Sequence, residues 1–236
     1  MWNWLLHTTS GQWTRIAIGA SIFIALAVVD LRRNGQRATR WREYLLLLVA
    51  VATAVFYGVI NDQLTCTISW EYFYYGKEIY KVVGPETPPA DWPFRWEVAK
   101  VGIMATWSVG LILGVILLVA NNPIKNWPRL SYRTLLRCLI TIVLISITFG
   151  IIGGLLGYQG FLTNLSPDFQ DMTRANVFRP KNFICTWGIH LGGYVGGIVG
   201  TITCALWMIC KRANLKFQPQ ATASGDVGVS NAPSRK

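Results

Sequence analysis

Five long apolar stretches dominate this chain of 236 residues and restrict what it can fold into. Each approaches the roughly 20 residues that a helix needs to cross about 30 Å of hydrocarbon. Charged residues make up 14% of the chain, against about 25% in a typical soluble domain. The pattern predicts an all-α, polytopic integral membrane bundle of about five transmembrane helices. The predicted spans are 13–31, 44–60, 101–120, 135–158 and 185–210.

The first predicted span is the weakest of the five. Its uninterrupted apolar part runs only from Ile16 to Val29. A cleaved signal peptide is the alternative interpretation. We favour a retained span, because no basic segment precedes it and no clear small-x-small cleavage site follows it.

Basic residues are concentrated on one side of this predicted topology, in 31–43, 121–137 and the tail after Cys210. The opposite side carries as many acidic as basic residues, so the whole formal net charge of +11 lies on the first side. The positive-inside rule makes that side cytoplasmic, with the N-terminus outside and the C-terminus inside. The basic loops are also expected to hold anionic lipid headgroups, so no nucleic-acid partner is needed to explain the charge.

The segments between the spans have distinct compositions. Residues 1–12 are aromatic and uncharged, which predicts an interfacial segment. The predicted outer loops are 61–100, which is dense in aromatic residues, and 159–184. Residues 211–236 turn to Gln, Ala, Ser, Gly and Pro, which predicts a disordered cytoplasmic tail.

Glycines recur in the last two predicted spans, often at a spacing of four residues. A stripe of small residues lets helix backbones approach closely, so we interpret it as helix packing within the bundle. A dimer seam and room for a ligand are the alternatives. The residues assigned to this role are Gly150, Gly154, Gly188, Gly192, Gly196 and Gly200.

The cysteines and histidines predict neither a metal site nor a cofactor. No CxxC pair or metal-ligand spacing occurs. Haem ligation is unattractive, because the only other histidine besides His190 is His7, near the opposite end of the chain. Cys66 and Cys185 both fall near the outer ends of their spans, where a disulfide between them is redox-permitted. Two free thiols are the interpretation that we favour.

A polar group stands where the second predicted span ends, at Asn61, Asp62 and Gln63. One interpretation is a polar cap that ends one helix and starts the next. The other is a polar pocket that opens outward and includes His190, an ionisable residue within a span, for which function is the default hypothesis. A neutral histidine, hydrogen-bonded inside the bundle, is the competing interpretation of His190. The candidate pocket comprises Asn61, Asp62, Gln63, Thr65, Glu71, Tyr72, His190 and Tyr194.

These residues resemble a signature of bacterial multi-span membrane proteins to which no activity is assigned, Y-G-x-x-(H/N)-D-Q-x-T followed by E-Y-F. In this chain it reads YGVINDQLT from Tyr57 to Thr65, and then EYF from Glu71 to Phe73. The similarity continues in ATWSVGLILGV and at His190, Tyr194, Gly196 and Gly197. Asn61 stands where many members have histidine, which removes a titratable group. The resemblance implies a multi-pass protein of the bacterial cytoplasmic (inner) membrane.

Two functional hypotheses follow from these patterns. The first is a non-enzymatic module whose extracytoplasmic polar and aromatic cap binds a partner, a lipid or an ion. The second is a small membrane enzyme, or a proton or solute carrier, that uses Asp62, Glu71 and His190. A membrane-protein partner and a homo-oligomer are both compatible with the first hypothesis.

Overall fold

The computed structural model describes residues 9–84, 92–122, 127–165 and 179–217. It is all-α in these residues, as predicted, and contains five helices long and apolar enough to cross a membrane. We number these long helices α1 to α5. They are α1 (Thr9–Asn34), α2 (Trp41–Ile68), α3 (Trp92–Ala120), α4 (Tyr132–Tyr158) and α5 (Pro180–Phe217). Short helical segments at Gly35–Arg37, Tyr72–Gly76, Tyr80–Val83 and Thr163–Leu165 lie between them.

Every long helix extends beyond its predicted span. The largest changes are that α2 continues to Ile68, α3 begins at Trp92, and α5 runs from Pro180 to Phe217. Residues 61–68 and 92–100 of the predicted outer loop 61–100 are therefore helical, and so are residues 180–184 of the loop 159–184. Residues 211–217 of the predicted disordered tail are helical as well. The predicted spans are shorter because each was ended at the first polar side chains. A helix continues through such residues when neighbouring helices bury them. Residues 1–8, 166–178 and 218–236 lie outside the described residues.

Helices α2 and α3 form one closely packed pair because small residues face each other along it. A Cβ atom added to Gly110 would lie 2.7 Å from the Cβ of Ala54, and one added to Gly102 would lie 2.9 Å from the carbonyl carbon of Gly58. Backbone therefore lies directly against backbone, as small residues permit in membrane helices. Six of the eight buried residues of α3 follow one another at intervals of four: Phe94, Val98, Gly102, Thr106, Gly110 and Gly114.

Helices α4 and α5 form the second close pair, and most glycines of both helices lie at its seam. A Cβ on Gly188 would collide with the backbone of Gly153, and one on Gly192 with the carbonyl of Phe149. A Cβ on Gly196 would lie 2.8 Å from the Cα of Ser146. The structure thus places the predicted glycine stripe between two helices of the same chain, where larger side chains would separate them.

Helix α1 lies against α2 at the end of the bundle where α1 stops. Asp30, which is buried, accepts hydrogen bonds from the backbone N–H of Trp41 at 2.9 Å and from the Asn34 side chain at 2.6 Å. Phe23 and Tyr44 also stack, with ring centroids 6.4 Å apart. Most side chains of α1 that the structure describes are exposed or only partly buried. The closely packed part of the bundle is therefore α2 to α5.

One arginine joins α5 to the end of α3. The Arg212 side chain donates to the backbone carbonyls of Pro128 at 2.9 Å, of Asn122 at 2.6 Å, and of Ala120. Beside it, the Asn121 side chain bonds the backbone N–H and C=O of Leu130 at 2.9 and 3.1 Å. These bonds satisfy carbonyls that a helix end leaves without intrahelical partners. We call this end of the bundle the arginine end, and the opposite end the Asp62 end.

Candidate functional site

Asn61, Asp62 and Gln63 lie inside α2, about two turns before its last residue, Ile68. The sequence predicted a span that ends at about 60, and the helix runs eight residues beyond that position. The helix continues because Asp62 turns into the bundle, where 4% of the residue is exposed. The carbonyl of Ile68 then accepts a hydrogen bond from the side chain of Asn182 on α5 at 2.9 Å. The polar group is therefore part of the bundle interior.

Asp62 and His190 meet across α2 and α5. Their closest atoms, Asp62 Oδ1 and His190 Nδ1, are 3.7 Å apart, and both side chains are largely buried. This distance exceeds the upper limit of about 3.2 Å for an ordinary N–H···O hydrogen bond. The two groups are thus adjacent without being directly bonded, and a small movement or one shared proton would join them.

Thr65 fixes the tautomer of His190. The Thr65 hydroxyl donates to the backbone carbonyl of Asn61 at 2.8 Å, so its single proton is used there. His190 Nε2 lies 3.2 Å from the same oxygen, and it is the donor in that contact when the Thr65 proton is on the Asn61 carbonyl. A neutral His190 with its proton on Nε2 presents the lone pair of Nδ1 to Asp62. This assignment follows from the hydrogen-bond network.

An aromatic cover packs on the histidine. The ring of Tyr72 stacks on His190 with centroids 4.9 Å apart and planes at 17°, and Phe73 meets it edge-on at 5.8 Å. Both belong to a π-helical turn, Tyr72–Gly76, a geometry that is rare and often found at functional sites. A Cβ on Gly76 would lie 3.3 Å from the ring of Phe183 on α5, so the turn sits close against that helix.

A cavity of about 250 Å³ lies between the two helix pairs and reaches the Asp62–His190 contact. Its lining on α2 runs from Ala50 to Asp62, which is about 18 Å along a helix axis. Polar groups that can bond a ligand collect at the Asp62 end: Tyr57, Asn61, Asp62, Lys77, His190 and Tyr194. The rest of the wall is mainly apolar: Ala50, Ala54, Val101, Ala105, Val109, Leu113, Leu139, Ile142, Val143 and Ile198.

The two threonine hydroxyls along the apolar part bond within their own helices. Thr53 donates to the carbonyl of Val49 at 2.8 Å, and Thr106 to that of Gly102 at 2.7 Å. Their methyl groups and Cβ atoms remain available for apolar contact. The cavity is therefore amphipathic, with one polar end and a long apolar remainder.

Two residues of the predicted pocket point elsewhere. The Gln63 side chain donates to the carbonyl of Arg95 on α3 at 2.9 Å, and the Arg95 side chain donates to the carbonyl of Gln63 at 3.0 Å. The Glu71 carboxylate, which is buried, accepts from the Ser69 hydroxyl at 2.9 Å. No hydrogen bond or ion pair joins Glu71 to His190 within the described part of the chain. Both residues hold the scaffold together and do not line the cavity.

Lys77 and Tyr57 were not predicted as part of the site. Lys77 follows the π-helical turn, and its Nζ lies 5.2 Å from the centroid of the Tyr72 ring. The Tyr57 hydroxyl would lie 2.8 Å from a Cβ on Gly193, so it reaches across from α2 to α5. The signal for Tyr57 was its position four residues before Asn61 on one helix face. The sequence carries no comparable signal for Lys77.

The structure also describes the cysteines and the side chains that could hold a metal ion. Cys66 and Cys185 are both free thiols in the structure. No group of three or more His, Cys, Asp or Glu side chains comes together among the described residues.

No protein-family model, curated protein or solved structure matches the chain. The geometry of the cavity is thus the remaining indication of function.

Proposed function

We propose that this protein binds one amphipathic molecule inside the membrane, in the cavity between its two helix pairs. The observation that carries the proposal is the distribution of polarity along the cavity. Groups able to donate and accept hydrogen bonds lie at the Asp62 end, and apolar side chains line most of the remainder. A ligand with a polar head and an apolar chain matches this distribution, in the way that small-molecule sites combine apolar walls with a few placed polar groups.

The polar end favours a head that both donates and accepts hydrogen bonds. Asp62 contributes a carboxyl group and Lys77 an ammonium group to the same space. The hydroxyls of Tyr57 and Tyr194 serve in either role. A head with hydroxyl or amide groups, or a zwitterion, uses all of these groups. The Asp62 carboxylate would repel a purely anionic head, and the Lys77 ammonium group would repel a purely cationic one.

The apolar part favours a single chain. The volume of about 250 Å³ is near the lower limit of the roughly 300–1,000 Å³ found for ligand sites. A complete phospholipid with two chains exceeds that space. Tyr194 and Ile198 line the cavity and are also 45% and 60% exposed. This exposure supports entry from the lipid phase between the helices.

The proposal includes a location and an orientation. We place the protein in the cytoplasmic membrane of a bacterium, with the Asp62 end on the outer side. The excess of arginine at the opposite end and the resemblance of the YGVINDQLT segment to the signature of bacterial membrane proteins support this placement. The amphiphile would then have its head at the level of the outer leaflet.

A proton or solute carrier is the second candidate, and the Asp62–His190 contact favours it. Two ionisable groups 3.7 Å apart within a membrane bundle can pass a proton between them. Glu71 is not assigned to this acid–base chemistry, because its carboxylate accepts a hydrogen bond from the Ser69 hydroxyl. The acid–base chemistry of this candidate would therefore depend on Asp62 and His190.

Filling the cavity tests the binding proposal. Val143→Phe places a ring in the apolar part, and Leu144→Phe places the same ring on the neighbouring residue, which is 58% exposed. We expect organic extracts of the purified wild type and Leu144→Phe to contain the same amphiphile by mass spectrometry. Val143→Phe should retain at least about tenfold less, equivalent to about 1.4 kcal/mol. Equal retention by both variants would contradict the proposal.

A second measurement separates the two candidates. Wild type and Asp62→Asn are reconstituted into liposomes with a pH-sensitive dye inside, and a pH gradient is imposed. A binding protein leaves the gradient intact in both cases. Proton flux that requires Asp62 would favour the carrier, and would displace the binding proposal if no amphiphile copurifies.

A further inference from the structure

A second cavity lies at the arginine end, far along the bundle from the Asp62–His190 contact. It is a groove of about 360 Å³ between the first turns of α2 and the first turns of α4. None of its lining residues lines the cavity that reaches the Asp62–His190 contact. The groove is therefore separate from the amphiphile site.

The shape of the groove matches an extended hydrocarbon chain. Trp41, Leu45 and Val49 are four residues apart on α2 and form one row, which Tyr132 and Leu136 face from α4. The row spans about 12 Å along the helix axis. Half of a bilayer's hydrocarbon is about 15 Å thick. A groove of this length and direction accommodates one acyl chain from one leaflet.

The mouth of the groove has the residues expected at a membrane surface. Trp41 and Tyr132 begin their helices, and both residue types are enriched at the level of lipid headgroups. Arg42 lines the groove, with its guanidinium carbon 5.4 Å from the centroid of the Trp41 ring. Ser131 caps α4 without a side-chain bond to its first amides. The amides at that helix start add positive potential beside Arg42.

The charges around the mouth favour an anionic partner. Glu43 lies 3.6 Å from Arg129, and the Asp30 carboxylate accepts bonds from Trp41 and Asn34. The two acidic side chains that the structure describes at this end are thus bonded to protein groups. Most of the basic side chains around them have no acidic partner among the described residues. Those outside the ion pair, apart from the buried Arg212, are Arg32, Arg33, Arg37, Arg40, Arg42, Arg133, Arg137, Lys211 and Lys216.

We propose that the groove between α2 and α4 binds one anionic phospholipid from the leaflet at the arginine end. The phosphate lies beside Arg42 and the start of α4, and one acyl chain lies along Trp41, Leu45 and Val49. Basic pockets between transmembrane helices bind acidic headgroups in this manner. The lipid joins the first turns of two helices that belong to different close pairs.

Native mass spectrometry of the full chain in detergent tests the proposal. Delipidated protein is titrated with phosphatidylglycerol or with phosphatidylcholine of the same acyl chains. We expect the first phosphatidylglycerol to bind at least about fivefold more tightly than phosphatidylcholine, since one arginine near the surface contributes about 1 kcal/mol. Arg42→Gln should remove this preference, whereas Arg42→Lys should keep most of it. Arg37→Gln makes the same charge change at an exposed residue outside the groove and should have no effect.

A groove-filling variant keeps the test decisive if Arg42→Gln does not fold. Leu45→Trp places an indole ring in the groove and should weaken binding of the first lipid, with either headgroup, about tenfold. Two outcomes would overturn the proposal. One is equal affinity of the wild type for the two lipids. The other is an equal loss in Arg37→Gln and Arg42→Gln, which would show binding to the general positive charge of this end.

Discussion

Arg212 provides the sharpest test of how the bundle is held together. It is the largest fully buried side chain in the described structure, and 1% of the residue is exposed. Its three hydrogen bonds reach the end of α3 and the residues that follow it. We expect Arg212→Met, which preserves much of the side-chain volume, to leave those carbonyls without their donor.

The size of the effect follows from the burial of each bond. The bond to the carbonyl of Ala120 is buried, and an unsatisfied buried acceptor costs about 1–3 kcal/mol. The bonds to Pro128 and Asn122 are partly buried, so water replaces the donor and each loss costs about 0.5–1.5 kcal/mol. The free energy of unfolding should fall by about 2–6 kcal/mol in total. For a chain of this size that lowers Tm by roughly 5–20 °C.

Thermal unfolding in detergent, followed by size-exclusion chromatography after heating, measures this change. Lys211→Met is the matched control, because it removes one positive charge from the neighbouring exposed residue, whose Nζ lies over the ring of Trp207. We expect that variant to change Tm by less than about 2 °C, as surface substitutions do. Equal changes in Tm for the two variants would refute the assignment of Arg212 as the link between α3 and α5.

Three further outcomes are expected. Gly188→Ala should lower the free energy of unfolding by more than about 2 kcal/mol by thermal shift, because its Cβ would collide with Gly153, whereas Gly19→Ala meets open space and should be neutral or stabilising. Gln63→Ala should cost about 0.5–1.5 kcal/mol of stability and leave amphiphile retention unchanged, since it removes one bond between α2 and α3; a loss of retention would contradict its scaffold role. Mass spectrometry of the alkylated protein should find Cys66 and Cys185 as free thiols, and a disulfide-linked peptide would contradict the structure.

Much of the site was predictable from residues that share a helix face. His190 was a candidate because an ionisable residue is costly inside a membrane, and Tyr194 because it lies four residues further on the same helix face. Asp62 and Thr65 were candidates because polar residues collect at the predicted end of the second span. The structure brings Asp62, Thr65 and His190 into contact and places Tyr194 on the wall of the same cavity. Gln63 and Glu71 shared the same local signal, yet they bond Arg95 and Ser69. Proximity along the chain does not distinguish a side chain that lines a cavity from one that holds two helices together.

At the arginine end, the role of Arg212 was likewise not predictable from its position along the chain. The sequence indicated only a basic residue near the end of a span, which is typical of a surface residue. Its position continues the buried stripe of α5 at intervals of four: Gly196, Gly200, Cys204, Met208 and Arg212. That periodicity was a usable signal for burial. The three carbonyls that make burial of an arginine favourable belong to residues 84–92 positions away, and only the folded chain brings them there.

The sequence alone determined the class of protein, the number of long apolar helices, and the concentration of positive charge on one side. These properties depend on composition and on periodicity within single segments, because every backbone group in lipid must be satisfied within its own helix. The tertiary structure decided where the helices end, how they pair, and which polar groups face the cavity. Those outcomes depend on contacts between helices: glycines bring α2 to α3 and α4 to α5 so closely that the remaining space lies between the pairs.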